Sequence, residues 1–251
     1  MKQGRLIGLS LGPGDPGWIT RKAWEYLQAD GVWTYPVRKR GAESYALGIV
    51  ERAGLPRPSQ HQPLVFPMTQ DAQKLAQAWV AAAQEVVQIL QGGEDVFFLV
   101  EGDASTYSTF VHLYRAVQAL EPGIQVETVP GVSSFNAAAA QVNAPLAMEG
   151  DCMAVVPAGY GVDLIRHMIE EFDHLVLLKV KPMLDEILDL LEELGLTQEA
   201  RFIEKVGSPE ERIIEDVSRL RGEKVNYLSL MLVNHPGRIK GEMVRGCKKQ
   251  K

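Results

Sequence analysis

From Arg5 onward, short runs of β-branched and other apolar residues alternate with amphipathic stretches, the pattern of βα units feeding a largely parallel sheet. The runs predict strands over 5–11, 32–35, 64–66, 95–100 and 125–129. The clearest helix is expected over 71–91, where Leu75, Trp79, Ala82, Val86 and Leu90 recur at near-helical spacing. Thr69 is placed to cap it, Asp71 falls in its first turn and Gly92-Gly93 ends it. Beyond Pro130 come a small-residue helix over 133–141, strands over 152–156, 175–180, 200–206 and 227–233, and helices near 162–171 and 182–194. The reading is an α/β fold of two α/β domains, 1–123 and 124–237, divided where Pro122-Gly123 and Pro130-Gly131 punctuate the chain. A basic tail over 238–251 follows, with six basic residues against one acidic, expected to be a solvated terminus.

Composition narrows the function classes. A chain of 251 residues, 46% hydrophobic and 23% charged, is long enough for a real core and too apolar for disorder. Lys and Arg number 26 against 32 Asp and Glu, so the net charge of −6 excludes a strongly basic nucleic-acid binder. The two cysteines, Cys152 and Cys247, form neither a disulfide framework nor a CxxC pair, which points to a reducing cytoplasm. The apolar run after Arg5 is cut short by Pro13, Asp15 and Pro16, and no other run approaches the ~20 residues of a membrane helix. His61, His112, His167, His174 and His235 lack ligand spacing, so no enzyme-bound metal is expected, and His112 is read as a packed helix residue.

Gly12-Pro13-Gly14-Asp15-Pro16-Gly17 is a literal GxGxxG after a predicted strand, which suggests a dinucleotide site. Pro13 and Pro16, however, remove two backbone donors, and Asp15 places negative charge where phosphate would sit. Tyr35-Pro36-Val37-Arg38 stands where a ribose-binding carboxylate belongs, although Arg38 would suit a 2′-phosphate. A stiff glycine-proline turn suits close approach of a neutral or cationic group such as a sulfonium. It is equally a tight connection in which Asp15 caps the helix beginning near Trp18.

Two more turns follow predicted strands. Glu101-Gly102-Asp103-Ala104-Ser105-Thr106-Tyr107-Ser108 leaves the most apolar strand and enters a helix; its carboxylates suit ribose hydroxyls or a cationic ligand, or Asp103 and Ser105 simply cap. Pro130-Gly131-Val132-Ser133-Ser134 opens an alanine-rich helix with exposed N–H groups and room for a small ligand, or serves only as its cap.

Taken together, these segments resemble the tetrapyrrole methylase family in order and spacing from Gly8 to about Asn234. The forms Gly12-Pro13-Gly14-Asp15-Pro16, Ile19-Thr20, Lys22-Ala23, Tyr35-Pro36, Tyr107-Ser108-Thr109-Phe110 and Pro130-Gly131-Val132-Ser133-Ser134 are similar to those of members methylating an early corrinoid precursor. The resemblance implies two α/β domains with the active site in a cleft between them, S-adenosylmethionine as methyl donor, S-adenosylhomocysteine as product, an anionic tetrapyrrole substrate and a homodimer. Carried over by position, the cofactor contacts are Pro13, Glu101, Gly102, Asp103, Thr106, Ser133, Ser134, Val180, Leu228 and Ser229. Two positions depart from the family pattern: Ala104 replaces a frequent proline, and Ser10 stands where glycine is common.

Methyl transfer from a sulfonium needs alignment more than acid catalysis, because the leaving group departs as a neutral thioether. A base is needed only afterwards, and Asp103, Tyr107 and Lys179 are the candidates. The substrate's carboxylates call for a local basic patch in an acidic protein: Arg38-Lys39-Arg40 first, with Arg21 and Lys22 next, and Asp15 and Tyr35 beside them as substrate contacts. Other readings are a relative acting on a different ring position or on RNA, and a non-catalytic tetrapyrrole carrier. The acidic body, without an aromatic-basic stripe, disfavours nucleic acid, and no membrane partner is expected.

Overall fold

The computed structural model of the protein describes residues 3–69 and 71–238, which fall into two compact units divided between Ser134 and Phe135. The first holds a parallel sheet of β1 (Leu6–Ser10), β2 (Val32–Val37), β3 (His61–Val65), β4 (Val96–Val100) and β5 (Val126–Val129), in spatial order β3-β2-β4-β1-β5. Its helices are α1 (Arg21–Leu27), α2 (Tyr45–Arg52), α3 (Ala72–Gln91) and α4 (Thr109–Leu120), and α5 (Ser134–Gln141) begins at the division.

β1 and β4 are buried at every position, as strands of a parallel sheet covered on both faces must be. Alternation sorts their side chains. Ile7, Leu9, Trp33, Tyr35, Val37, Phe97 and Leu99 pack with Ala23 and Leu27 of α1 and with Ala46, Leu47, Ile49 and Val50 of α2. Leu6, Val96, Phe98 and Val100 pack instead with Ala82, Val86 and Leu90 of α3 and Phe110, Leu113 and Val117 of α4. Gly8 admits the Phe110 ring to the sheet, for a Cβ there would lie 2.3 Å from the ring. Pro36 sits beyond Thr34, the last β2 residue paired with β4, so its missing N–H breaks no bond to that strand.

Three expectations change. Asp71, not Thr69, caps α3: its carboxylate accepts the Gln73 and Lys74 N–H groups, while the Thr69 hydroxyl accepts the Asp71 N–H. Helix α2, capped by Ser44, was not anticipated. β5 pairs with β1 in the first sheet, so the unit break lies after it and not at 123/124; Pro122-Gly123 only turns α4 into β5.

The second unit carries a mixed sheet of β6 (Met153–Pro157), β7 (His174–Leu178), β8 (Ala200–Glu204), β9 (Arg212–Ile214) and β10 (Ser229–Asn234), in order β6-β7-β10-β8-β9. Only β6 and β7 run parallel. Helices α6 (Val162–Glu171) and α7 (Leu184–Glu193) contribute Ile165, Ile169, Ile187 and Leu191 to its core. Because β10 runs antiparallel between β7 and β8, its first residues lie at the carboxyl ends of both neighbours. At the opposite end Arg238 is anchored, its Nη1 lying 3.2 Å from both oxygens of buried Asp173, so the expected frayed tail does not begin there. The rest of that tail, 239–251 with Cys247, lies outside the described residues. Among the described residues no helix is long and apolar enough to cross a membrane.

Candidate active site

In the first sheet the chain leaves β1 towards β2 and leaves β4 towards β5, on opposite sides. That divergence opens a crevice beyond the carboxyl ends of β1 and β4, where open α/β sheets bind ligands. Each strand runs into a left-handed glycine, Gly12 at φ 75° and Gly102 at φ 75°. The two form a mutual bridge: the Gly12 N–H donates to the Gly102 carbonyl at 3.2 Å and the Gly102 N–H to the Gly12 carbonyl at 2.7 Å. A Cβ at Gly12 would lie 3.2 Å from Trp18, whereas at Gly102 it would meet nothing within 4 Å. Gly102 therefore presents bare backbone to open space, a surface a flat ligand can approach closely.

Asp103 fixes this turn to its neighbour. One carboxylate oxygen accepts the Gly131 N–H at 2.8 Å; the other accepts the Ser105 N–H at 2.9 Å, the Ser105 hydroxyl, and the Thr106 hydroxyl at 3.2 Å. Burial pushes the Asp103 carboxyl up, but the hydrogen bonds from Ser105, Gly131 and Thr106 outweigh it and hold the group below the usual carboxylate range. A carboxylate so engaged is a clamp, with donors on both of its oxygens.

The first turn is held from behind. The Tyr45 hydroxyl donates to the Pro13 carbonyl at 3.0 Å and Arg52 Nη2 to the Gly14 carbonyl at 2.9 Å, both from α2, and Pro13 is buried. Asp15 accepts the Gly17 N–H at 2.7 Å and caps the 3-10 turn Pro16–Trp18. With the Gly12 and Gly17 N–H groups engaged and none on Pro13 or Pro16, the turn is poor in pyrophosphate donors, and the dinucleotide reading fails. Tyr45 and Arg52 were missed by sequence reasoning, because nothing local marks a contact made across 32 and 38 residues.

The remaining candidates separate by position. Glu101 is half-buried, Tyr107 is exposed with φ 49°, Ser133 is buried and Ser134 opens α5. Arg38, Lys39 and Arg40 are exposed beyond the carboxyl end of β2, the same sheet edge as the glycine turns. Tyr35 is buried, in the core with its hydroxyl 2.9 Å from His61 Nδ1, because β2 is an interior strand. Arg21 pairs with Glu25, and Lys22 lies over the Tyr26 ring. His112 packs beside Trp79, ring centroids 5.1 Å apart.

In the second unit, Lys179 at the end of β7 and Lys205 at the end of β8 both adopt left-handed backbone, φ 57° and 50°. Their N–H groups donate to the carbonyls of Ser229 and Leu228 respectively, each at 2.8 Å. The Lys179 ammonium stands 5.5 Å from the Tyr227 ring centroid, while that of Lys205 pairs with Glu210. Val180 is fully buried. Ser229 is buried too, and its hydroxyl has no hydrogen-bond partner among the described residues, an acceptor and donor left for a ligand.

A parallel sheet whose switch-point turns are bridged into one platform, joined in sequence to a mixed sheet, places the chain among two-unit α/β proteins with a ligand-binding type of strand-end crevice. The chain belongs to the tetrapyrrole (corrin/porphyrin) methylase family, whose model matches residues 5–220. It is 32% identical over 232 residues to the cobalt-precorrin-2 C(20)-methyltransferase of Salmonella typhimurium, covering 92% of this chain and 96% of that protein. It is also 31% identical to the probable cobalt-precorrin-2 C(20)-methyltransferase of Methanocaldococcus jannaschii, covering 91% and 95%. The structure of uroporphyrin-III C-methyl transferase from Thermus thermophilus complexed with S-adenyl homocysteine superposes with a TM-score of 0.65 at 23% identity, over 92% of each chain, a likeness of fold.

Proposed function

We propose that this protein is an S-adenosylmethionine-dependent C-methyltransferase that acts on the C-20 meso carbon of precorrin-2 or cobalt-factor II in cobalamin biosynthesis and releases S-adenosylhomocysteine. The observation that carries the reading is the platform of Gly12, Gly102 and Gly131, bridged backbone to backbone and through Asp103, with open space over Gly102. The names of the two relatives supply the ring position. The cofactor, when bound, supplies an electrophilic methyl group on a sulfonium.

Alignment is then the task of the chain's own residues: holding nucleophile, methyl and sulfur in line makes a bimolecular displacement effectively intramolecular, worth up to ~7–11 kcal/mol in favourable systems. Pro13, Glu101, Gly102, Thr106, Ser133 and Ser134 are the proposed cofactor contacts of the first unit. Val180, Leu228 and Ser229 are those of the second, supported by the orphan Ser229 hydroxyl. Arg38, Lys39 and Arg40 are proposed to receive substrate carboxylates, and Lys179 to orient another. Asp103, whose oxygens also hold the clamp, Tyr107, and Lys179 in its neutral amine form are the proposed groups to take the proton from the methylated carbon. The enzyme is proposed to be cytoplasmic and homodimeric, with no nucleic-acid or membrane partner and no metal of its own, any cobalt arriving inside the substrate.

The test is incubation of the protein with metal-free precorrin-2 and with cobalt-factor II, each with methyl-labelled donor, and mapping of the labelled carbon by NMR. Label at C-20 is expected. Label at another ring position would transfer the assignment to a different member of the family, and tetrapyrrole binding without any S-adenosylhomocysteine binding would make the protein a carrier.

A further inference from the structure

Ser10 ends β1, a strand otherwise made of apolar residues and glycine, and its side chain is fully buried. A hydroxyl in that place must find partners inside the protein, because water cannot supply them. It finds two. Ser10 Oγ donates to the Val129 carbonyl at 2.5 Å and accepts the Ala104 N–H at 2.8 Å. β1 lies between β4 and β5 in the sheet, so this one oxygen reaches both the turn that follows β4 and the end of β5. The third contact is steric: a Cβ at Gly131 would lie 2.4 Å from Ser10 Cβ and 2.9 Å from the Gly102 carbonyl, so Gly131 is packed directly against Ser10.

We infer that Ser10 is a positioning residue for the cofactor turns, and that its hydroxyl forbids proline at position 104. The inference rests on the proposed S-adenosylmethionine site. The bond to the Ala104 N–H holds the residue that follows Asp103, and thereby the aim of the carboxylate that receives the Gly131 N–H. Ser10 is the inner fastening of the platform and Asp103 the outer one. A proline at 104 would remove the donor and place its Cδ along the direction of the former N–H bond, inside van der Waals contact with an oxygen only 2.8 Å from the nitrogen. Serine at 10 and a residue with an N–H at 104 are therefore required together; glycine at 10 lifts the clash.

The test is a set of five proteins: the parent, Ser10→Ala, Ser10→Gly, Ala104→Pro and the Ser10→Gly/Ala104→Pro double variant. S-adenosylhomocysteine binding is measured by titration calorimetry and turnover is measured against each substrate separately, at a temperature where thermal melts show the parent and Ser10→Ala folded. Ser10→Ala is expected to raise the Kd for S-adenosylhomocysteine and the KM for S-adenosylmethionine about tenfold, since it leaves a buried N–H unpaired, with the KM for tetrapyrrole unchanged. A general loss of stability would not divide the two KM values in that way. Ala104→Pro is expected to lose nucleoside binding, and adding Ser10→Gly to recover at least tenfold of it, or to recover soluble protein if Ala104→Pro alone does not fold. Parent-like nucleoside binding by Ser10→Ala, or a double variant no better than Ala104→Pro, overturns the inference alone. A parent that binds no S-adenosylhomocysteine overturns the methyltransferase reading and this inference with it.

Discussion

Asp103 accepts the Gly131 N–H at 2.8 Å, tying the turn after β4 to the turn after β5 across 28 residues of sequence. Its other oxygen takes the Ser105 and Thr106 donors, so the carboxylate is most useful to the fold when charged. Asp103→Asn is nearly isosteric but loses the charge, and should lower stability by about 1–3 kcal/mol at neutral pH. The folded group's pKa lies below its ordinary value of 3.8, so the charged clamp stabilises fully above that value and the contribution fades as pH falls through the lower folded value. Denaturation of parent and variant across pH 7 to the acid range should show the gap between them closing below about pH 4. A gap independent of pH would contradict the clamp.

The glycines of the platform should differ in what they tolerate. Gly102→Ala meets open space and bears only the left-handed backbone cost, about 1–2 kcal/mol. Gly131→Ala drives a methyl into Ser10 Cβ and the Gly102 carbonyl, adding overpacking of about 1–3 kcal/mol and displacing the neighbouring turns. Urea denaturation should rank Gly131→Ala the worse, while S-adenosylhomocysteine titration should find binding weakened by both, by Gly102→Ala because its methyl enters the space over the turn and by Gly131→Ala because it displaces the turns.

Lys179 carries an amine on a backbone conformation that favours glycine, with φ 57°. Lys179→Gly should hold or raise the melting temperature by relieving about 1 kcal/mol of strain, whereas Lys179→Ala keeps the Cβ and its strain and should not raise it. Both should depress turnover of the tetrapyrrole, because both lose the ammonium. A glycine variant that is fully active would remove Lys179 from the site.

Arg38, Lys39 and Arg40 are exposed, so their Coulomb contribution to a bound carboxylate is modest for each and screened by salt. Replacing all three by Ala should weaken tetrapyrrole binding about tenfold at low ionic strength and less at high, leaving S-adenosylhomocysteine binding unchanged. Equal tetrapyrrole affinity in a fluorescence titration at low salt would place the substrate elsewhere.

The parts of the fold legible in the sequence are those that one strand or helix decides for itself. Phe97-Phe98-Leu99 inside an unbroken apolar run announces a strand covered on both faces, and the spacing from Leu75 to Leu90 announces α3. Helix α2 escaped because Tyr45–Arg52 is short and its four buried residues flank a glycine, and β9 because three residues carry no period. Pro122-Gly123 misled about the unit break because proline and glycine punctuate turns within βα units as readily as linkers between domains.

By itself, the sequence determined the α/β layering, the three glycine turns that follow strands and their likeness to a family, since each is written in contiguous residues. Only the tertiary structure decided what the polar groups in those turns do. Asp103 became a clamp because Gly131 arrives beside it, Tyr35 was drawn into the core by its place in an interior strand, and Ser10 met Ala104 across 94 residues. A hydrogen bond between distant residues leaves no trace in local composition, because its geometry exists only after strand order has been set.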